Sequence, residues 1–470
     1  MSGLYASFNS TVKALGAHSR AIEIAGKNLA NVDSPGYARQ RVLYGDRGTV
    51  LTPTGAESLG LEALGIQQMR DQLLDRQVLR EISAKASFEA EQSGYRRAQA
   101  GLGQSIDRTQ DASDATATGK GVAGAIDGFF NAFQGFAANP TGVGERQVLI
   151  QQALILGDRL RQTDGRLAQT QSDLGAGIAG NVADANRLLA TIAELNGQIG
   201  RFEVNLPNSA VDLRDQRQAK LEELAAILPI EVRDQAGGQV QVVVKDGGGA
   251  DVPLVDLATV QGVIAFSGST VTGGTPATAL VLASGAIKGS LTARDGAVQA
   301  LRDQLDLVAR QLVTSVNAAY NPPPGPGSDF FDPAGLTAAT FTAAAGLTPA
   351  GLRSGVSVAA GDNTIAIAVA ALATRPFATA SGDLIDGTYG GFFSQSVSNL
   401  GQALAGANSR VEDQTNIERL VRSQRDAVSA VSLDEELADL MKFQRAFQAS
   451  SRVFSVIDDL LDNVVNRLGR

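Results

Sequence analysis

The stretch SLDEELADLMKFQRAFQASSRVFSVIDDLLDNVVNRL, Ser432 to Leu468, contains neither proline nor glycine. Its apolar residues recur at intervals of three and four, with one irregular step at Leu440. This spacing is typical of a heptad-like seam along one long α-helix. The seam residues are Leu433, Leu437, Leu440, Phe443, Phe447, Ser450, Phe454, Ile457, Leu461, Val464 and Leu468. The stretch therefore predicts a helix whose apolar face needs a partner to cover it.

The start of this helix is marked by Ser432, because a serine three residues before Glu435 fits a capping box. Asp434, Glu435 and Glu436 follow, and their negative charges suit the positive N-terminal end of a helix dipole. The sequence thus predicts that the C-terminal helix begins here.

The N-terminus carries a matching pattern. Apolar and small residues step by four and three through Leu4, Phe8, Thr11, Leu15, His18, Ile22, Ala25 and Leu29. At 1.5 Å per residue this is a helix of about 45 Å. We therefore predict that the N- and C-terminal helices pair as a coiled coil.

Further apolar residues widen the C-terminal stripe beyond what a two-helix seam requires. They are Met441, Val453, Val456, Leu460 and Val465. Since exposed apolar surface of this kind favours association, the surplus predicts contact with neighbouring subunits.

The segment NLANVDSPGYARQ, Asn28 to Gln40, follows the first helix. It resembles the ANxxTPGY signature of the bacterial flagellar axial family of rod, hook and hook-associated proteins, with serine in place of threonine. The motif residues are Asn28, Asn31, Ser34, Pro35, Gly36 and Tyr37. Residues 435–465 resemble the C-terminal signature of the same family. The resemblance therefore covers both ends of the chain.

Three internal segments resemble hook-associated members and have no counterpart in rod and hook proteins. They are FFNAFQGFAANP (residues 129–140), IAELNGQI (192–199) and VDLRDQRQAKLEELA (211–225). The resemblance implies a structural role at the junction between hook and filament. It also implies export by the flagellar type III system to the cell exterior, without a cleaved signal peptide.

The resemblance further implies several partners. These are hook subunits, a second junction protein toward the filament, further copies of this chain in a homo-oligomeric ring, the export apparatus and an export chaperone. The terminal helices are expected to form only on incorporation, when neighbours cover them. A hook or distal rod subunit is the alternative, and an adhesive or enzymatic surface module is a more distant one.

The composition excludes several classes of protein. The chain has 470 residues, 44% of them hydrophobic, which suffices for packed cores in several domains. A net charge of −9 argues against binding to nucleic acid, which requires clustered positive charge. No apolar run approaches the roughly 20 residues that span a bilayer, so no membrane anchor is expected. Cysteine is absent, which removes disulfides and thiolate chemistry.

The periodicity predicts a multidomain, mainly α-helical chain with a β insertion and a central helical bundle. Helical spacing gives way to alternation near Leu228, and residues around Val232, Val242 and Val271 predict strands. The predicted domains are 1–66 with 426–470 (terminal coiled coil), 67–227 with 293–321 and 390–425 (helical bundle), 228–292 (inserted β domain), and 322–389 (linker and a small irregular or mixed domain).

Within the predicted bundle, Phe129, Phe130, Phe133 and Phe136 recur at helical spacing and predict a core cluster. Helices are predicted over 67–106, 122–137, 146–183, 298–320 and 390–431, with the glycines of 175–180 interrupting the apolar stripe of the third. A proline-rich linker is predicted at 321–327. In 336–379 we predict a short strand at 355–359 and an apolar run at 365–372, with no assigned fold.

The chain offers few groups for catalysis. His18, its single histidine, occupies a seam position and is expected to pack. Asp458, Asp459 and Asp462 lack an adjacent loop glycine or histidine, so they predict a solvated face and not a metal site. The glycines after Lys245 lack the GK[ST] ending of a phosphate-binding loop and predict a hairpin turn. We therefore assign no catalytic, cofactor-binding or metal-binding residue.

Overall fold

The computed structural model describes residues 2–34, 36–46, 49–52, 55–58, 60–102, 121–322, 328–357, 359 and 361–463. The predictions for Pro35, Val464, Val465 and Leu468 lie outside these residues, as do most of the proline-rich linker and the predicted end of the second helix. The side chain of Leu4 also lies outside the described part, although the backbone of its helix is described.

The fold is mainly α-helical and multidomain with small antiparallel sheets, as predicted. The helices are α1 (Ser2–Ala30), α2 (Gln72–Leu102), α3 (Val122–Ala138), α4 (Val143–Phe202), α5 (Val211–Ile227), α6 (Ala286–Leu291), α7 (Gln299–Tyr320), α8 (Thr364–Ala371), α9 (Tyr389–Ser429) and α10 (Leu433–Asp462). A π-helical stretch, Thr292–Val298, joins α6 to α7.

The strands form four antiparallel sheets within the described residues. They are β1 (Gln40–Asp46), β2 (Thr49–Thr52), β3 (Gly55–Ser58), β4 (Leu61–Gln68), β5 (Glu231–Asp234), β6 (Val240–Lys245), β7 (Asp251–Asp256), β8 (Thr259–Val260), β9 (Ala265–Ser267), β10 (Thr270–Gly273) and β11 (Thr278–Ala279). Strand β1 pairs with β4, and β2 pairs with β3. In the β insertion the orders are β5-β6-β7-β8 and β11-β10-β9.

The chain divides into two compact units. Unit 1 comprises residues 1–85, 182–285 and 414–470, and unit 2 comprises 86–181 and 286–413. Unit 1 holds both chain ends together with the β insertion. The four-domain division given above uses other boundaries and stays a prediction.

The β insertion of unit 1 follows from the alternation in the sequence. Val240, Val242 and Val244 of β6 are buried as the alternation predicts, and Val243 is buried as well, whereas Lys245 at the end of the strand is half-buried. The predicted turn after β6 is present, because Asp246 Oδ1 accepts hydrogen bonds from the backbone N–H groups of Gly248 (2.9 Å) and Ala250 (2.8 Å). This is an aspartate-stabilised turn, and the interpretation of these glycines as a hairpin turn is confirmed.

Unit 2 is built around an aromatic core. Phe129 and Phe133, on one face of α3, meet edge to face at 5.1 Å and are fully buried. Phe330 and Phe331 pack against Phe129 at 5.7 and 5.3 Å. Phe341 lies 4.6 Å from Phe331, so the segment whose fold the sequence left open forms part of this core.

Three expectations about local structure are wrong. Helix α4 runs from Val143 to Phe202 and does not end at 183 as predicted, and its apolar stripe continues across the glycines of 175–180, where Leu174 and Ile178 are buried. The described residues of 355–359 form bends and no strand. Ser432 is the N-cap residue of α10, but its side chain makes no capping hydrogen bond, and Glu435 bonds to Arg39 instead.

Candidate functional site where the two chain ends meet

Asn28 lies in the last turn of α1 and is 1% exposed. Its Nδ2 donates hydrogen bonds to the carbonyl oxygen of Gln40 (2.7 Å) and to Glu436 Oε2 (3.0 Å). Its Oδ1 accepts from Gln40 N (3.0 Å) and from the hydroxyl of Tyr37 (3.0 Å). Since an asparagine amide has two N–H donors and two acceptor lone pairs, Asn28 is fully satisfied. It therefore ties the segment after α1 and the start of α10 to the same point.

The turn between α1 and β1 is set by the other motif residues. Tyr37 N donates to the carbonyl oxygen of Ser34 at 3.2 Å, and Gly36 has φ +79°. A type II turn requires positive φ at its third residue, which glycine adopts without strain. Asn31 Nδ2 donates to the carbonyl oxygen of Lys27 at 2.9 Å and closes the end of α1. This geometry places Tyr37 where its hydroxyl reaches Asn28.

Glu436 is the buried residue of α10, at 3% exposure. Its Oε1 accepts a hydrogen bond from Arg39 Nε at 2.6 Å, and Arg39 Nη1 donates to Glu435 Oε2 at 2.6 Å. The backbone N–H of Arg39 donates to the carbonyl oxygen of Ser429 at 2.8 Å. Burial by itself lowers the pKa of Arg39, but Glu436 and Glu435 outweigh it and hold that pKa above its usual value. We call the set Asn28, Tyr37, Arg39, Gln40 and Glu436 the terminal joint.

Arg70 supports the terminal joint from its other side. Its Nη2 donates to the carbonyl oxygen of Gly36 and to Asp215 Oδ1, both at 2.7 Å, and its Nη1 lies 3.1 Å from Asp75 Oδ2. Burial raises the pKa of Asp75 and of Asp215, and the charge of Arg70 offsets this in part. Arg70 thus links the turn to α5.

Asp212, also on α5, makes a second link. Lys27 Nζ donates to Asp212 Oδ1 at 2.6 Å, and Gln40 Nε2 donates to the same oxygen at 3.0 Å. Burial, followed by the charges of Asp215 and Asp212, raises the pKa of Tyr37 well above its usual value. Tyr37 is therefore a hydroxyl donor throughout the physiological range.

Apolar contacts continue from this polar cluster along α1. Helix α1 lies against α10 and also against β1 and β4. Ala21, Ile24 and Val42 form a buried cluster against which Phe443 packs. Farther along, the rings of Phe8 and Phe454 lie 5.1 Å apart.

The predicted seam residues are mostly half-buried in the described chain. These are Phe8, Leu15, Ile22, Leu29, Leu440, Phe443, Phe454, Ile457 and Leu461. Leu433, Leu437 and Phe447 are exposed, at 47%, 39% and 37%. Leu437 directly follows Glu436, so it lies about 100° around the helix from that inward-facing side chain. Coiled-coil packing of the seam stays a prediction.

The most deeply buried face of α1 shares Ala25 with the predicted seam and otherwise lies beside it. It contains Ala17, Ala21, Ile24 and Ala25. The reason is that strands β1 and β4 cover α1 in addition to α10, so the most buried face is the one that both partners share. The sequence pattern anticipated one partner for this helix and not two.

The surplus apolar residues of α10 face away from α1. Met441, Val453, Val456 and Leu460 are between 47% and 58% exposed. We call these four residues the outer stripe. Because they contribute little within the single chain, they form the apolar surface that a neighbour would cover.

The partners of the motif were not predicted from the sequence. They are Arg39, Gln40, Arg70, Asp212, Asp215 and Glu436. Arg39 and Gln40 lie two and three residues after Tyr37, the last residue of the motif, and this closeness could have indicated that they contact it. Glu436 gave a weaker indication, since it lies three and four residues from Leu433 and Leu440 and so shares their side of the helix.

The remaining candidates show no arrangement suited to chemistry. His18 is half-buried, and Asp458, Asp459 and Asp462 are exposed. Among the described residues, no group of three or more histidine, aspartate or glutamate side chains is placed to hold a metal ion. No helix in the described part of the chain has the length and apolar character needed to cross a bilayer.

Two family models match the chain. Residues 111–331 match the helical domain of the flagellar hook-associated protein FlgK, and residues 422–468 match the C-terminal domain of the flagellar basal body rod proteins FlgEFG. The second match covers α10 and the last part of α9, including Glu436 of the terminal joint.

Curated relatives agree with the first match. The chain is 24% identical over 531 aligned residues to flagellar hook-associated protein 1 of Bacillus subtilis (strain 168), covering 100% of this chain and 99% of that protein. It is 25% identical to flagellar hook-associated protein 1 of Salmonella typhimurium, covering 69% of this chain and 58% of the relative. The match to the Escherichia coli (strain K12) protein of the same name is 25% identical and covers 51% of this chain and 42% of the relative.

A solved structure, the flagellar hook junction protein FlgK from Burkholderia pseudomallei, aligns with a TM-score of 0.46 at 21% identity, over 55% of this chain and 46% of that one. The matched family models and the curated relatives named here are of flagellar axial proteins, the family that the two ends of the chain resemble. Within that class, the model of the helical domain and the curated relatives are of the hook-associated protein 1 type, and the chain is similar to them.

Proposed function

We propose that this chain is a structural subunit of the junction between hook and filament, positioned there by its two ends. Its terminal joint fixes α10 against α1, and the outer stripe of α10 then packs against neighbouring subunits in a homo-oligomeric ring. In this proposal the chain is not an enzyme and carries no catalytic group.

The observation that carries the proposal is that α10 combines a buried hydrogen bond to α1 with an exposed apolar face. Asn28 and Glu436 are buried and hydrogen-bonded to each other, so the start of α10 has a defined position. Met441 and Val456, on the same helix, are more than half exposed. A helix that served only this chain would carry polar residues there.

The half-buried seam supports assembly-coupled ordering. Each apolar side chain contributes roughly 1.5–3 kcal/mol only when it is fully covered. Since Leu15, Ile22 and Leu461 are half-buried here, neighbouring subunits would supply the rest of that contribution. The ends of a free subunit are then held less firmly than those of an incorporated one, which suits a chain that passes through an export channel.

The proposed partners follow from this position. Hook subunits lie on one side of the ring and a second junction protein on the other. The flagellar type III apparatus exports the chain to the cell exterior without a cleaved signal peptide, and an export chaperone covers its apolar end beforehand.

Deletion of residues 432–470 in the native host tests the proposal. The deletion removes Glu436 and the outer stripe together, so we expect intact hooks, subunits shed into the medium and no filaments in electron micrographs. The full-length chain supplied from a plasmid serves as the control. Normal filaments on the deletion strain would refute the junction role.

A hook or distal rod subunit is the second candidate, favoured by the match of residues 422–468 to rod proteins. The two candidates differ in self-assembly. A rod or hook subunit polymerises into tubes by itself, whereas a junction subunit stops at a ring. Negative-stain microscopy of the concentrated purified chain distinguishes them, and long tubes would favour the second candidate.

A further inference from the structure

A cavity of about 270 Å³ opens in unit 1 beside the start of α2, α5 and strands β5 and β6. Four arginines line it, namely Arg70, Arg76, Arg214 and Arg217. Asp75 and Asp234 are the carboxylates among its lining residues. Arginine therefore outnumbers acid by two to one at its wall.

Three of the four arginines have carboxylate partners. The pairs are Arg70 with Asp215 at 2.7 Å, Arg76 with Asp234 at 2.8 Å, and Arg214 with Glu203 at 2.7 Å. The side chains of Arg76 and Asp234 are nearly half exposed, so this pair lies at the mouth of the cavity. The charges of these three arginines are thus met within the chain.

Arg217 differs from the other three. It is 7% exposed, and none of the carboxylates in the described part of the chain forms an ion pair with it. Its hydrogen bonds to described residues are made by Nη1, to Asn196 Oδ1 and to the carbonyl oxygen of Gly238, both at 2.8 Å. The N–H groups on Nε and Nη2 remain for another acceptor. A buried guanidinium without a counter-charge is costly, so a compensating group is expected nearby.

Gln218, the next residue on α5, gives a second and separate indication. Its Nε2 is buried without a hydrogen-bond partner among the described residues, and its side chain lines the same cavity. An unpaired buried N–H donor destabilises a fold by about 1–3 kcal/mol. Both unmet groups are donors, and an acceptor in the cavity would satisfy both.

We propose that this cavity binds a small oxyanion, either a free phosphate-like ion or a single carboxylate group of another polypeptide. Arg217 supplies the counter-charge and the planar pair of donors that oxyanions bind, and Gln218 supplies a further N–H. The inference does not depend on the proposed function.

The size of the cavity limits the ligand. A volume of about 270 Å³ is well above the roughly 10–15 Å³ that a cavity needs to hold one water molecule. Pockets for larger organic ligands usually begin near 300 Å³. A phosphate-sized ion with a few waters therefore fits.

The electrostatics of Arg217 are consistent with an anion beside it. Burial, followed by the charge of Arg214, lowers the pKa of Arg217 to about 10. A bound oxyanion would oppose both effects, because it favours the charged form of the guanidinium.

Titration of the full-length chain with sodium phosphate and with sodium acetate, each against sodium chloride at matched ionic strength, tests the proposal. We expect saturable binding to one site by calorimetry, and a rise in Tm of about 2 °C at tenfold excess over Kd. Saturation by phosphate assigns a free ion, and saturation by acetate alone assigns a carboxylate group. Saturation by neither overturns the proposal.

Two variants locate the site. Arg217→Lys keeps the charge but loses the planar pair of donors, and we expect at least tenfold weaker binding.

Arg217 also donates hydrogen bonds to Asn196 and Gly238, so its replacement can disturb the fold. Gln218→Leu avoids this disturbance. It removes the unpaired donor, so we expect three- to tenfold weaker binding with an unchanged or higher Tm in chloride. Arg201→Gln, at an exposed arginine outside the cavity, should bind as the parent does. Equal affinity in Gln218→Leu and the parent would mean adventitious binding only.

Discussion

Asn28 and Glu436 are 408 positions apart in the chain and are joined by a hydrogen bond of 3.0 Å between Asn28 Nδ2 and Glu436 Oε2. The same amide group holds both the N–H and the carbonyl oxygen of Gln40. One asparagine therefore sets the path of the chain after α1 and the start of α10. This explains why the N-terminal motif and the C-terminal helix belong to one functional unit.

Replacement of Asn28 by alanine tests this role. The variant leaves buried groups of Gln40 and Glu436 without partners, which costs about 1–3 kcal/mol. We expect hydrogen exchange of the α10 amides to accelerate by roughly 5- to 150-fold, measured by mass spectrometry. Asn9→Ala, at an exposed position of the same helix, is the matched control and should leave exchange unchanged. Equal protection in both variants would exclude this role for Asn28.

The two neighbouring glutamates of α10 are expected to differ in their contribution to stability. Glu436 has a side chain 3% exposed and Glu435 one that is 63% exposed, although both accept a hydrogen bond from Arg39 at 2.6 Å. Removal of one partner from a fully buried pair costs about 3–5 kcal/mol, and an exposed pair contributes less than about 1 kcal/mol. Because Arg39 is itself 24% exposed, we expect about 2–3 kcal/mol for Glu436→Ala. Urea unfolding of both alanine variants measures the difference, and similar losses would contradict the burial argument.

Glu203 is expected to make the stability of unit 1 depend on pH, and its shifted pKa gives the direction of that dependence. Burial raises the pKa of Glu203, but the hydrogen bonds and charge of Arg214 outweigh burial and lower the pKa below its ordinary value of 4.5. A carboxyl with a lowered folded-state pKa stabilises the fold above the unfolded-state pKa, and that contribution is lost as the pH falls through the folded-state pKa. We therefore expect Glu203→Gln to be less stable than the parent at pH 7, with the difference vanishing as the pH falls below about 4.5. Glu223→Gln, in an exposed pair with Lys220, is the control for general charge effects. A difference that stays constant down to acid pH would contradict the assignment.

The outer stripe is expected to affect assembly and not folding. Met441 and Val456 are 55% and 58% exposed, so the double change to serine should alter the free energy of unfolding by less than about 0.5 kcal/mol per site. In the host, we expect loss of swimming motility in soft agar, since a neighbour would then meet hydroxyls in place of its apolar contact. The control replaces Gln444 and Gln448, two exposed polar residues of the same helix, by serine. Wild-type motility in the Met441 and Val456 variant would remove the outer stripe from the proposed interface.

The spacing of apolar residues predicted those helices and strands whose buried residues follow a regular pattern in the sequence. The aromatic cluster of α3 and the strands of the β insertion lie where the spacing of Phe129, Phe133, Val240 and Val242 placed them. The motif beginning at Asn28 was found by resemblance, because nothing in its spacing indicates that its amide bonds to a residue 408 positions away. Glu436 was interpreted as a partner of the helix dipole, which is the ordinary role of an acid in a first turn.

Contacts between residues that are distant in the chain explain the features that the sequence did not predict. Phe341 and Phe377 are buried because the aromatic core around α3 receives them, and their local sequence is rich in alanine, threonine and glycine with no clear period. The glycines in the middle of α4 were interpreted as an interruption of the apolar stripe in the helix predicted over 146–183, and glycine also weakens an isolated helix. Burial of Leu174 and Ile178 stabilises the helix across that stretch, and a single-sequence pattern does not reveal the partner that buries them.

Replacement of glycine by alanine is expected to change the Tm in opposite directions at different helical positions of this chain. A Cβ at Gly177 or Gly180 would meet nothing within 4 Å, and both lie in the interior of α4. Because alanine is favoured over glycine in a helix by about 0.8–1 kcal/mol, each change to alanine should raise the Tm. At Gly94 on α2 the new Cβ would overlap with the Cβ of Ala293, so Gly94→Ala should lower the Tm by forcing the two helices apart.

Differential scanning calorimetry of the three single variants checks these signs. The measurement tests whether α4 is continuous, because the higher helix propensity of alanine raises the Tm only where the residue lies in a helix. A lower Tm for both Gly177→Ala and Gly180→Ala would mean that α4 is broken there, with the glycines adopting a backbone that alanine avoids. A higher Tm for these two together with a lower one for Gly94→Ala supports the continuous helix, since only the local surroundings of the new methyl group distinguish the three changes.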